Sequence, residues 1–186
     1  MAKGGISLVR EREADRYATQ EDFYTIFNDY LMEFFQLAFL LTRDHEKAER
    51  CIVKGLEGCV ARNRIFREWA RSWARRTIIQ NAILELRPRP SQSNSPLSGA
   101  IFPYVGHISN GPSEPFSMDL VLGLEDFERF VFVMSVLERH SEHDCSLLLG
   151  CSVREIREAR NHAMKELMNP SERDVSENQH FIHETQ

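Results

Sequence analysis

Between Ala61 and Arg89 the chain carries eight arginines: Arg62, Arg64, Arg67, Arg71, Arg75, Arg76, Arg87 and Arg89. Only Glu68 and Glu85 oppose them, so this stretch holds +6 while the whole chain holds -5 at neutral pH. Arg71 and Arg75 stand four apart, which places them on one face of a helix. Arginine on a helix face suits phosphate, because its planar fork bonds two oxygens at once. Trp69 and Trp73 share the same spacing within the same stretch. Two readings of these rings stand open. They can stack unpaired bases among the cations, or they can belong to the core, where tryptophan is mostly buried.

A second cationic element lies further along. Ser152-Val153-Arg154-Glu155 reads as a capping box that opens a helix. That helix carries Arg154, Arg157, Arg160 and Lys165 against Glu155, Glu158 and Glu166, a net charge of +1. Ser152, Arg154 and Arg157 are its candidates for groove and phosphate contact. Glu155 would face phosphate, so its neutralisation is expected to strengthen binding.

Other chemistry finds little support. The chain has no phosphate-cradling glycine loop, no nucleophile motif and no carboxylate pair on a plausible pocket, so no enzyme activity is expected. His140, His143, Cys145 and Cys151 lack the spacing of a zinc site, and neither a metal nor a cofactor is expected. Cys51, Cys59, Cys145 and Cys151 form no CxxC pair. Each lies in a stretch that reads as helix and suits a reduced thiol.

The elements that must position these residues read as all-α. Phe23, Ile26, Phe27, Tyr30, Leu31, Phe34, Ala38 and Leu41 recur at helical spacing and predict one amphipathic helix, capped by Thr19 with Asp22. Asp44 caps a second helix with the stripe Ala48, Cys51, Ile52, Leu56, Cys59 and Val60. A polar turn at 61–64 precedes a third, which bears Trp69, Ala70, Trp73, Ala74, Thr77, Ile78 and Ala82. Further on, Phe127, Phe130, Val131, Met134 and Leu137 mark another helix. Ser141 opens a short helix that ends at Gly150, and the capping box at Ser152 opens a longer one with Val153, Ile156, Ala159, Ala163 and Leu167 inward. A short helix, a turn with glycine and a longer amphipathic helix make a helix-turn-helix.

Six of the seven prolines fall between Pro88 and Pro115, together with Gly99, Gly106 and Gly111 and several serines. Such a stretch cannot hold a helix and serves as a tether. The predicted organisation is therefore two small helical domains, 19–87 and 118–168, joined by a linker at 88–117 and followed by a mobile tail at 169–186.

Taken together, these residues resemble the extracytoplasmic-function class of RNA polymerase sigma factors, over roughly Glu21–Leu86 and Met118–Met168. Ala38-Phe39-Leu40-Leu41-Thr42-Arg43-Asp44 with Ala48-Glu49 is similar to the start of that family's region 2. Trp69, Trp73-Ala74, Ile78 and Ile79 resemble its promoter-melting helix, and Leu148-Leu149-Gly150-Cys151-Ser152-Val153 with Ile156 and Ala163 resembles its region 4 helix-turn-helix. The resemblance implies a transcription initiation factor. Its first domain would bind the clamp of core RNA polymerase and open the -10 element, while its second would read the -35 element. The polymerase-facing positions are occupied by Glu49, Arg50, Val53 and Lys54, and the last three reverse the family's usual charge. An interaction adaptor or decoy derived from a sigma factor, without promoter-directing activity, is the alternative. The implied partners are core RNA polymerase and promoter DNA, with room for an anti-sigma protein. No stretch approaches the roughly 18 apolar residues of a bilayer span, nor does the chain open on a signal-peptide pattern. A cytoplasmic protein without a membrane partner is the expectation.

Overall fold

A computed structural model describes residues 16–61, 64–90 and 118–168. The described residues are helical, apart from turns and an isolated antiparallel bridge between Tyr17 and Phe66. The chain divides into two compact units, Met1–Arg87 and Pro88–Gln186. Residues 91–117 of the predicted 88–117 linker and the predicted tail at 169–186 lie outside the described residues.

The first unit begins with α1, Gln20–Asp29. Its cap is the predicted box: Asp22 N–H donates to the Thr19 hydroxyl, while the Asp22 carboxylate accepts from Thr19 N–H at 2.7 Å. A cap of this kind stabilises a helix by about 0.5–2 kcal/mol. The predicted single helix is in fact two. Tyr30, at φ -110° and ψ 19°, ends α1, and α2 runs from Leu31 to Thr42. Asn28 and Asp29 precede the break, and both residue types compete locally for backbone hydrogen bonds. The apolar spacing runs on across the interruption, which is why it reads as one helix. Leu31, a predicted stripe member, is exposed instead.

Arg43 leaves α2 in the left-handed region at φ 54°, and Asp44 caps α3, His45–Val60, by accepting from Lys47 N–H at 2.9 Å. A short 3-10 turn, Arg67–Trp69, leads into α4, Ala70–Leu86. α4 meets α3 closely because its inward positions are small: Ala70, Ala74 and Ala82 are fully buried. Gly55 on α3 serves the same approach, since a Cβ there would lie 3.0 Å from Ile78 Cγ1. Phe23, Phe34, Leu41, Ile78 and Ile79 fill the centre of this unit.

The second unit contains α5, Met118–Leu122, and α6, Asp126–Phe132. The predicted regular helix through Leu137 widens into a π-helical turn at Val133–Leu137, closed by Glu138 N–H donating to Val133 C=O. Ser135 contributes by donating its hydroxyl to Val131 C=O at 2.6 Å. α7, Glu142–Leu149, is capped by Ser141 and ended by Gly150 at φ 67°, a conformation that glycine adopts without strain. α8 then spans Val153–Met168 and buries Ile156, Ala159, Ala163 and Leu167. Cys151 lies in the turn, not in a helix as its sequence context suggests. Arg129 is fully buried, where its guanidinium donates to Leu124 C=O at 2.9 Å and pairs with Asp126 at 2.7 Å.

Candidate nucleic-acid interface

Trp69 is the last residue of the 3-10 turn and stands directly ahead of α4. Its side chain is 58% exposed, so the core reading fails for this ring. The cause lies in the neighbouring rings: Phe66 takes the edge contact with Trp69 at 5.1 Å between ring centroids and stacks on Tyr17 at 4.9 Å. The bridge between Tyr17 and Phe66 fixes that stack, so the indole is propped outward on a small aromatic platform. Trp73, one turn further on, is half-buried. The two tryptophans therefore separate in role although their spacing is helical.

Two cations of α4 are held, not loose. Arg71 and Arg75 both reach Glu33 of α2, at 2.6 and 3.3 Å. The Arg71 guanidinium also lies over the Tyr30 ring, 3.8 Å from its centroid. Just ahead of α4, Arg67 pairs with Asp22 at 3.0 Å. Thr19 N–H and the Arg67 guanidinium hold the Asp22 carboxyl below its ordinary range. Arg76 is half-buried and Arg64 exposed at φ 100°, while Arg62 lies outside the described residues.

The predicted polymerase-facing residues lie on α3. Glu49 and Val53 are exposed. Arg50 and Lys54 converge on Glu85 of α4, at 2.7 and 3.6 Å, and Arg50 lies 3.7 Å from Glu46. The hydrogen bond from Arg50 lowers the pKa of Glu85. The reversed charge seen in sequence is thus offset by an acid from the neighbouring helix.

On the second unit the capping box closes as predicted: Glu155 N–H donates to the Ser152 hydroxyl, and the Glu155 carboxylate accepts from Ser152 N–H at 2.7 Å. The Ser152 hydroxyl also donates to Glu155 at 2.6 Å. Ser152 is committed to the cap, and Glu155 folds back on it, so neutralising Glu155 would first loosen the helix start. Arg154 pairs with Glu158 in its own helix at 2.9 Å. Arg157 and Arg160 grip the two oxygens of Glu142 on α7, at 2.8 and 3.1 Å. Arg157 lowers the pKa of Glu142, first through its hydrogen bond and then through its charge.

Sequence reasoning missed these carboxylates. Glu33, Glu85 and Glu142 each clasp two cations, yet the nearest clasped cation is 15 residues away or more in the chain. No local pattern announces a tertiary ion pair at that separation. No protein-family model and no curated protein matches the chain. Among the described residues no helix is long and apolar enough to cross a membrane.

Proposed function

We propose that this chain is a transcription initiation factor of the sigma type, which joins core RNA polymerase and carries it to promoter DNA. The observation that carries the reading is the pairing of α7 and α8. A short capped helix, a left-handed glycine and a longer helix with arginines on its outer side would serve as a helix-turn-helix of the kind that docks in a major groove. Arg154 and Arg157 would contact groove and phosphate at the upstream element. In the first unit, Arg71 and Arg75 would follow the backbone of the -10 element while Trp69 stacks an unpaired base. Glu49, Arg50, Val53 and Lys54 would meet the polymerase clamp.

A second reading rests on the clasps. Because Glu33, Glu85 and Glu142 each occupy two cations, the same scaffold suits an adaptor or decoy that contacts polymerase without directing it. Binding to purified core polymerase from the host tests both. Association at micromolar concentration with transcription from a promoter library supports the initiation factor. Association without any transcription supports the adaptor, and no association removes both.

A further inference from the structure

α8 carries a second polar cluster, on the other edge of its buried stripe from Arg157 and Arg160. Its members are His162 and Glu166, four residues apart on one helix face, and Glu128, which projects from α6. We propose that Glu128, His162 and Glu166 form a binding site for a borderline divalent cation, zinc foremost. This inference stands apart from the nucleic-acid reading and needs none of its residues.

Three observations support the site. The first is convergence: one ligand atom from each side chain lies within 4.8 Å of the others, and His162 Nδ1 is 2.8 Å from Glu128 and 3.8 Å from Glu166. The second is positioning. Phe127, Arg129 and Phe130 around Glu128 are buried, so its carboxylate stands on a fixed base. The third is an unmet demand. The second oxygen of Glu128 is shut off from solvent and has no hydrogen-bond partner among the described residues. A buried carboxylate oxygen without a donor is costly, and a bound cation would compensate it. Burial accordingly raises the Glu128 pKa, although His162 opposes the shift.

The donor set selects the ion. One imidazole and two carboxylates suit zinc, with water completing the coordination, whereas magnesium demands an oxygen octahedron. His162 is more than half exposed, which leaves a path of entry. In the empty state His162 Nδ1 and the Glu128 carboxylate lie 2.8 Å apart. A metal would take the place between them: the Nδ1 lone pair would bind the ion while the ring's one proton sits on Nε2. The ion would then tie α8 to α6.

The test uses the full chain with His180→Ala and His183→Ala, which removes the competing imidazoles near its end. Zinc is titrated against a chromogenic chelator, and thermal unfolding is followed with and without zinc. The expected result is one zinc per chain and a raised Tm. Adding His162→Ala, an exposed position that leaves the fold intact by circular dichroism, should weaken zinc by at least about tenfold and remove the Tm shift. Glu166→Gln should act in the same direction. Zinc affinity unchanged by His162→Ala, no zinc bound by the parent chain, or an equal Tm shift with magnesium would each overturn the proposal.

Discussion

The two cationic faces are built on different terms. Around α4 the local charge is +6, an indole stands exposed at the helix start, and the arginines lean on an acid from α2. Along α8 the local charge is only +1, no aromatic ring among the described residues joins the arginines, and their counter-charges come from α7 and from the helix itself. A polyanion meeting α4 encounters a surplus of positive charge even with Glu33 in place. One meeting α8 must first draw Arg157 and Arg160 away from Glu142. The contrast teaches that arginine count alone does not rank two surfaces. What ranks them is how many cations remain after the folded protein has paired its own.

The largest expected effect lies on the first unit. Replacing Arg71 and Arg75 together with alanine should flatten the salt dependence of DNA binding by roughly 1.8 in log–log slope, about 0.9 for each lost phosphate contact. Filter binding from low to moderate salt measures it. An unchanged slope would return both arginines to a structural role beside Glu33 and erase the contrast.

A smaller effect, of opposite sign, is expected on the second. Glu142→Gln removes the acid that holds Arg157 and Arg160, so DNA affinity should rise a few-fold while Tm falls slightly, as exposed ion pairs contribute little. The pH dependence follows in sign. The folded state lowers the pKa of Glu142, so its contribution is present above the unfolded pKa and is lost as pH falls through the folded value. The Gln variant should lack that acid-side loss. Unaltered affinity in Glu142→Gln would mean that the clasp does not compete with DNA.

Much of this framework was legible in the sequence because it is local. Thr19, Asp44, Ser141, Ser152 and Gly150 announce helix ends by chemistry confined to a few residues, and each acts as read. The break at Tyr30 was hidden, because the apolar positions keep a continuous helical register across it. The exposure of Trp69 was hidden for another reason. It depends on Tyr17, 52 residues away, bridging to Phe66 and claiming the stacked position. The three clasping glutamates and the Glu128–His162 pair are tertiary in the same way, with no motif to mark them.

The central claim, that the first unit opens promoter DNA with Trp69 as a stacking platform, is tested most directly by fluorescence. Core polymerase joined to the chain is mixed with a promoter carrying 2-aminopurine in the -10 element, whose emission rises when the base leaves the stack. The account predicts a rise with the wild-type chain and a loss of about 1–3 kcal/mol in open-complex stability for Trp69→Ala. Because the indole is exposed, that variant should keep its fold. No rise with the wild-type chain, or an equal rise in both, would contradict the account.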